Sequence, residues 1–247
     1  MRARPKPTKF VLDYTDSETV KSNFDAAPFK REELSIVRAV LLEWNLRALC
    51  MDARRSFTIM MVRSHGEDRF MICFEKATEG DIPELTKIMK KAFDDESIRF
   101  KGNPEGGGPP GYDDGSFLMK WGFTGDGQNS SGSLYKILVE TEKAEKLVGA
   151  FIVFIGEKDG SPGDNTLGTI FVDPEWQDHG IGSQAMQYLL ATFPAKRWVL
   201  GTPEWATRNH HFYEKNGFTK IREVLDPELD KEKGGAYSYI YERVTKA

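Results

Sequence analysis

The residues best suited to chemistry lie in a glycine-containing segment that runs from Gln177 to Ser183. An apolar run predicted as a strand precedes the segment, and a helical pattern from Gly180 to Phe193 follows. A helix start carries unpaired N–H groups and the positive end of the helix dipole, so it suits a phosphate. Gly180 and Gly182 remove side chains where a ligand would approach the backbone. The segment has neither the Walker A pattern nor the three-glycine dinucleotide pattern, and a tight strand-to-helix turn is the simpler explanation of it alone.

A second polar segment, which begins 27 residues after Gly182, changes this interpretation. The two segments together match a known pair of sequence motifs in order and spacing. The first segment fits V-x-P-x-x-[Q/R]-x-x-G-x-[G/A] and the second fits N-x-x-x-Y-x-x-x-G-F, the two signatures of the GNAT-type N-acetyltransferases. The matching residues are Val172, Pro174, Gln177, Gly180 and Gly182, followed by Asn209, Tyr213, Gly217 and Phe218. Residues 71–247 therefore resemble this family, and residues 1–70 lie outside the resemblance.

The resemblance implies an α/β fold with a mixed sheet, in which two central parallel strands splay apart and acetyl-CoA lies between them. It implies that strand backbone binds the pantetheine arm, that the glycine loop binds the pyrophosphate, and that the second motif adjoins the arm. The corresponding positions are Ile170, Phe171, Val172, Gln177, Asp178, His179, Gly180, Ile181, Gly182, Ser183, Asn209 and Phe212. Acetyl-CoA would be the acyl donor, with direct transfer to an amine in a ternary complex.

The resemblance also suggests catalytic groups. Tyr213 would protonate the departing thiolate, with a core aromatic as the alternative reading. Some family members have a carboxylate that acts as the general base on a central strand. Thr166 occupies the corresponding position here, and its hydroxyl cannot serve as that base. Glu204 is the candidate base and Glu140 a second one, although each fits a surface carboxylate as well. No metal is expected, since His210 and His211 are adjacent and would point about 100° apart on a helix.

The acceptor site is expected in the segment 101–132, which holds ten of the 23 glycines. A loop this long in a compact domain is usually functional or disordered. Its aromatic and acidic residues make four candidates for substrate binding: Tyr112, Asp113, Asp114 and Trp121. This long acidic and aromatic loop favours a small-molecule amine as the acceptor, and the net charge of −7 over residues 71–247 is compatible with a cationic amine. A protein or peptide amine remains an alternative.

Composition excludes several classes of protein. The 247 residues are 39% hydrophobic and 29% charged, with a net charge of −4, which is typical of a globular chain and not of a disordered one. Nucleic-acid binding usually needs a strongly basic domain, so the net charge of −4 argues against a general nucleic-acid-binding protein. The longest uncharged apolar stretch, from Val148 to Gly156, is too short to span a membrane. Because Cys50 and Cys73 are the only cysteines, a disulfide framework is excluded and a cytoplasmic location is expected.

Residues 1–70 are predicted to form an extension with a net charge of +3. It would comprise a basic tail, an amphipathic helix over Arg31–Ala53 and a hairpin of Arg54–Val62 with Phe70–Phe74. The extension could pack on the main sheet, form a homodimer, or bind a partner if the chain were a non-catalytic acyl-CoA-binding module.

Hydrophobic periodicity places the remaining elements. A helix is expected over Asp81–Phe93 and a short one over Asn209–Asn216. Two strands flank the helix that follows the glycine loop, so they should be parallel with a right-handed crossover. The predicted strands after the loop are Ser133–Glu140, Leu147–Ile155, Thr166–Val172, Trp198–Leu200, Phe218–Val224 and Ala236–Val244.

Overall fold

The computed structural model describes residues 60–63, 69–102, 107–125, 132–141, 144–158, 161–227 and 235–245. The basic tail, the predicted helix Arg31–Ala53 and the predicted turn at 64–68 lie outside the described residues. So does most of the strand predicted over Arg54–Val62. Among the described residues, no helix combines the length and the apolar character that crossing a bilayer requires.

Eight strands form one sheet, in the order β1-β2-β3-β4-β7-β8-β10-β9, and two short strands form a separate hairpin. The strands of the sheet are β1 (Met60–Arg63), β2 (Arg69–Lys76), β3 (Ser133–Glu140), β4 (Glu145–Phe154), β7 (Asp164–Val172), β8 (Arg197–Pro203), β9 (Thr219–Asp226) and β10 (Ala236–Val244). The hairpin pairs β5 (Glu157–Lys158) with β6 (Ser161–Pro162). Each neighbouring pair is antiparallel except β7 with β8, so the predicted parallel pair is confirmed.

Four α-helices complete the described part of the chain: α1 (Ile82–Lys101), α2 (Ser116–Met119), α3 (Ile181–Thr192) and α4 (Thr207–Lys215). Helix α1 runs well past its predicted end at Phe93. The polar run after Phe93 stays helical because ion pairs one turn apart, such as Arg99 with Asp95, support it. The helix ends at Gly102, whose φ of 81° closes the last turn.

The sheet separates two hydrophobic clusters. One cluster, which includes Phe74, Phe151 and Trp198, contains the buried faces of α3 and α4. The other joins α1, α2 and the opposite sheet face through residues such as Leu85 and Leu118. Each fully buried side chain of this size stabilises the fold by ~1.5–3 kcal/mol. The helices are thereby fixed on both sides of the strands that border the site described below.

The central parallel strands β7 and β8 are hydrogen-bonded to each other over only part of their length. Its register runs from Asp164 opposite Arg197 to Leu167 opposite Leu200 and then stops. Beyond that point β7 pairs only with β4, up to Val172, while β8 pairs with β10 as far as Pro203. The ends of the two parallel strands therefore diverge, and an opening forms between them on the edge where both carboxyl ends lie.

Gly149 allows β4 to lie close to the backbone of β7 at the end where β7 diverges from β8. Val172 is its partner in the register, and a Cβ at position 149 would overlap the carbonyl oxygen of Phe171. We expect Gly149→Ala to lower the free energy of unfolding by about 1–3 kcal/mol, since a buried backbone atom cannot move aside cheaply. Chemical denaturation followed by circular dichroism measures this change.

The matched control is Gly201→Ala on β8, where a new Cβ would lie 3.5 Å from Ile240 Cδ1, an ordinary contact. This variant should unfold at nearly the wild-type denaturant concentration. Equal destabilisation by the two substitutions would contradict a special packing requirement at Gly149.

Candidate active site

A cavity of about 610 Å³ occupies the opening between the diverging strands. Its walls come from the end of β7, the glycine loop and start of α3, the end of β8, helix α4 and the second half of α1. The predicted residues that line it are Ile170, Phe171, Val172, Gln177, Asp178, Gly180, Ile181, Gly182, Ser183, Asn209, Phe212 and Tyr213. The structure thus brings the two sequence motifs, which are far apart in the chain, to one cavity.

The glycine loop presents a helix start to the cavity. Gly180 caps α3 with a φ of 83°, a backbone conformation that glycine adopts without strain. The first helical hydrogen bond runs from Gln184 N to Gly180 O at 3.0 Å, so the three preceding N–H groups have no partner within the helix. A Cβ on Gly182 would lie 3.3 Å from the Phe212 ring, so this glycine lets α4 pack closely. Such an arrangement suits a phosphate anion.

Arg208 ties the glycine loop to α4. Its guanidinium donates to Gln177 Oε1 at 2.8 Å and to Asp178 Oδ1 at 2.7 Å. Gln177 in turn donates from Nε2 to the carbonyl of Val172 at 2.9 Å. Asp178 itself has a positive φ of 61°, which short polar residues tolerate better than most. This chain of contacts fixes the loop relative to both β7 and the second motif.

Lys91 makes an equivalent link from α1. Its Nζ lies 2.9 Å from Asp173 Oδ1 and 2.8 Å from Glu175 Oε1, on the turn that leads from β7 into the glycine loop. These contacts raise the pKa of Lys91, with the hydrogen bond to Glu175 as the largest cause. The helix that forms one cavity wall is therefore attached to the segment that forms another.

Tyr213 is buried on α4 yet borders the cavity. Its ring packs against Phe218 and Tyr241, with centroid distances of 6.2 and 6.0 Å. Burial raises the pKa of Tyr213 well above that of an exposed phenol, and the negative charge of Glu96 raises it further. The hydroxyl therefore keeps its proton across the physiological pH range.

Glu96 is a carboxylate on the cavity wall that was not predicted from the sequence. It lies on α1, and its Oε1 atom is buried with no hydrogen-bond partner among the residues that the structure describes. Desolvation raises the pKa of Glu96, with a further increase from Asp95, whereas Arg208 and Arg99 act in the opposite direction. A carboxyl group with a raised pKa next to a cavity is a typical proton acceptor in enzymes.

The two predicted base candidates lie elsewhere, since neither borders the cavity. Glu204 follows β8 and points along β10, where its Oε1 accepts a hydrogen bond of 3.3 Å from the N–H of Tyr237. Glu140 ends β3, opposite Met71 and Glu145 of the neighbouring strands. The structure does not bring either carboxylate together with Tyr213.

The histidines have three different environments. His179 bonds through Nδ1 to its own loop at Gln177 O, 2.7 Å away, and does not line the cavity. His210 stacks on Tyr239 with a centroid distance of 5.0 Å, whereas His211 lines the cavity. Over the residues that the structure describes, no three His, Cys, Asp or Glu side chains are grouped as metal ligands.

The four predicted acceptor residues do not reach the cavity either. Tyr112 is buried and donates its hydroxyl to Asp94 Oδ1 at 2.7 Å, which anchors the segment to α1. Asp113 is exposed, and Asp114 accepts a hydrogen bond from Ser116 N at the start of α2. Trp121 packs edge-on against Phe154, with ring centroids 6.1 Å apart. In the described part of this segment, Gly107 is the residue that borders the cavity.

Glu96 and Arg208 carried signals that were available in the sequence. The buried stripe of α1 passes through Leu85, Met89 and Ala92, and one further helical step reaches Glu96. An acidic residue on an apolar stripe is a candidate for a functional group, because burial of an unpaired charge is costly. Arg208 directly precedes the Asn209 of the second motif.

Comparisons with known proteins agree with the motif pattern. The sequence model of the acetyltransferase (GNAT) domain family matches residues 134–220. The uncharacterized protein YrkN of Bacillus subtilis strain 168 is 31% identical over 150 residues, which are 60% of this chain and 72% of YrkN. The ribosomal-protein-S18-alanine N-acetyltransferase of Escherichia coli has a similar fold, with a TM-score of 0.51 at 15% identity. That match covers 72% of this chain and 96% of the E. coli chain.

Removal of the Arg208 contacts should loosen the glycine loop. We expect Arg208→Gln to weaken CoA binding by about tenfold, because two charge-assisted hydrogen bonds are lost and the bound anion loses a nearby cation. Isothermal titration calorimetry with CoA measures the effect. Arg222→Gln on the exposed edge strand β9 is the control and should leave the affinity unchanged. Equal affinities of wild type and Arg208→Gln would contradict this role.

Proposed function

Because the chain belongs to the GNAT acetyltransferase family, we propose that it transfers the acetyl group of acetyl-CoA directly to a primary amine of a small molecule. The observation that carries the proposal is the shared cavity, where the helix start of α3 and Tyr213 of α4 both border the opening between β7 and β8. An anion site and a proton donor that border one cavity would serve thioester aminolysis, the first by holding the donor and the second by protonating the leaving sulfur.

The residues present fit acetyl-CoA. The N–H groups at the start of α3 and the nearby Arg208 would hold the pyrophosphate. The open backbone edge of Ile170–Val172 would pair with the amide groups of the pantetheine arm, with Asn209 and Phe212 beside it. Acetyl-CoA supplies an activated acetyl thioester and a thiolate as the leaving group.

Tyr213 would give its proton to the leaving sulfur. A phenol of pKa about 10 is a weaker acid than a thiol of pKa about 8.5, and burial widens this gap on the tyrosine side. The same apolar surroundings disfavour a thiolate, however, and raise its proton affinity too. Because the pKa of the phenol and that of the leaving thiol are raised together, Tyr213 can still donate its proton to the sulfur. Its raised pKa also keeps that proton in place at physiological pH.

The size of the cavity supports a small acceptor. Its volume of about 610 Å³ lies within the range of roughly 300–1,000 Å³ that is typical of small-molecule pockets, and the acyl donor would occupy part of that volume. Helix α1 and Gly107 also line this cavity. A flexible peptide would need a groove that leaves the cavity, and the peptide in the panel below tests that alternative.

The proposed reaction is tested with a panel of amines and acetyl-CoA, with release of the CoA thiol followed by a thiol-reactive dye. The panel contains n-butylamine, 1,4-diaminobutane, L-lysine, glucosamine and a tetrapeptide with a free amino terminus. Amine-dependent release, with the acetylated amine identified by mass spectrometry, supports the proposal. Release that does not depend on any amine, or no release at all, would overturn it.

Removal of the Tyr213 hydroxyl should slow catalysis without preventing binding. We expect Tyr213→Phe to lower kcat by about 100-fold, because proton transfer by a positioned side chain contributes roughly 10²–10⁴-fold. The affinity for CoA, measured by calorimetry, should stay within twofold of wild type. Tyr237→Phe on β10 is the matched control, since this tyrosine is 45% exposed and does not border the cavity.

The ionisation of Tyr213 gives a second readout. Since its pKa is raised, loss of its proton should not limit the rate anywhere below about pH 10. An alkaline decline that is present in wild type below this pH, and absent in Tyr213→Phe, would show that Tyr213 loses its proton in this range and would contradict the raised pKa of its hydroxyl.

A further inference from the structure

The strand that faces the opening provides no proton acceptor. The β7 residues on the cavity wall are Ile170, Phe171 and Val172, none of which titrates. Thr166 lies further back, where β7 is still paired with Val199 of β8. A primary amine with a pKa of roughly 10 arrives as an ammonium ion and must lose a proton before its nitrogen can attack. Another wall of the cavity must therefore supply the base.

Helix α1 places Glu96 on such a wall. Glu96 borders the same cavity as Ile170 and Tyr213. Its negative charge contributes to the raised pKa of Tyr213, so the two groups are close enough to interact electrostatically. The carboxyl group and the proposed proton donor thus flank one space, from α1 and α4 respectively.

The other acidic residues nearby already have partners. Asp94 pairs with Lys90 and Tyr112, and Asp95 pairs with Arg99. Asp178, the other carboxylate on the cavity wall, is exposed and bound to Arg208. Glu96 differs, because its Oε1 is buried and accepts no hydrogen bond from any residue in the described part of the chain. A buried acceptor without a donor is costly, and an ammonium group supplies the missing donors.

We propose that Glu96 binds the ammonium group of the acceptor and removes its proton, so that the catalytic base comes from α1 instead of the central strand. This inference rests on the proposed acetyltransferase function. It restricts the substrates to amines that are cationic when they bind, and it excludes acceptors such as anilines, which arrive neutral.

The proton and bond balance is complete with the groups named. One proton passes from the ammonium nitrogen to Glu96, and the freed nitrogen forms a C–N bond to the acetyl carbon as the carbon–sulfur bond breaks. The Tyr213 hydroxyl protonates the departing sulfur, and the second proton of the new amide nitrogen restores the tyrosine. The products are the acetylated amine, the CoA thiol and one proton, which Glu96 releases to solvent.

Several charged groups around Glu96 determine its titration. Arg208 of α4 and Arg99 of α1 lower its pKa, and Asp95 raises it. Asp178 of the glycine loop and Tyr213, His211 and Lys215 of α4 line the same cavity. His211 is the competing proton acceptor, because it lines the same cavity and a neutral imidazole has one nitrogen that can accept a proton.

The test compares Glu96→Gln with wild type across pH 6–10, using the panel amine with the highest turnover. At pH 7 we expect kcat/KM to fall about 100-fold or more. The wild-type value should level off above the pKa of Glu96. The variant lacks the base and can use only the unprotonated amine, whose fraction rises tenfold for each pH unit below the pKa of the amine. Its kcat/KM should rise by the same factor, so the difference in kcat/KM between wild type and variant should narrow as the pH increases. Glu84→Gln, the same change on the exposed first turn of α1, is the control and should behave as wild type.

Each outcome has a distinct meaning. If wild type acetylates an amine and Glu96→Gln keeps both its rate and its pH profile, Glu96 is not the base and this inference fails alone. If His211→Gln, and not Glu96→Gln, produces the tenfold rise per pH unit, the base is His211. If wild type acetylates no amine, the proposed function itself fails. Turnover of aniline at a rate comparable to n-butylamine would also overturn the inference.

Thermal stability separates a functional role from a structural one. Since the folded-state pKa of Glu96 is raised, folding favours its protonated form, and this stabilisation is lost as the pH rises through that pKa. The neutral Glu96→Gln variant should therefore have a higher Tm than wild type at pH 8, and the difference should shrink towards pH 4. A lower Tm of the variant at pH 8 would indicate that Glu96 serves the fold, contrary to the proposal.

Discussion

The interruption of hydrogen bonding between β7 and β8 is the constraint on which the rest of the structure depends. A parallel pair in the middle of a sheet normally satisfies backbone groups along its whole length, and here the register ends at Leu167 and Leu200. The unpaired edges are tolerable because each strand keeps its outer partner, β4 on one side and β10 on the other. The backbone groups exposed in the gap must find polar partners, and the arm of a bound substrate can supply them.

The loop that closes the gap is held by contacts from three directions. Val172 anchors Gln177 from the strand, Arg208 binds it from α4, and Lys91 holds the preceding turn from α1. A single solvent-exposed ion pair contributes little stability, but a chain of such contacts fixes geometry. Rigid placement of the N–H groups of α3 is useful because a preorganised anion site needs little reorganisation when the ligand binds.

The sequence predicted most of the fold and the two motifs that meet at the cavity, whereas the four residues predicted to bind the acceptor do not line it. The motifs have glycines and polar residues at short spacings, where local backbone geometry determines the structure. The placement of the other cavity residues depends on tertiary packing instead. Tyr112 looked like a binding aromatic in a glycine-rich loop, yet it is a buried anchor for α1. Glu96 was not singled out from the sequence, and its position on the buried stripe of Leu85 and Met89 explains why it faces inward. Composition alone does not distinguish a solvated acid from one aimed at a cavity.

Helix α1 carries both Lys91, which holds the turn before the glycine loop, and Glu96, which borders the cavity little more than one helical turn away. A helix is stiff over that distance, so a shift at one residue is transmitted to the other. Any movement of Asp173 and Glu175 when a ligand binds to the glycine loop would therefore be passed on to Glu96. Thermodynamic linkage makes such a coupling reciprocal. If binding of the donor changes the affinity for the amine by some factor, binding of the amine changes the affinity for the donor by the same factor.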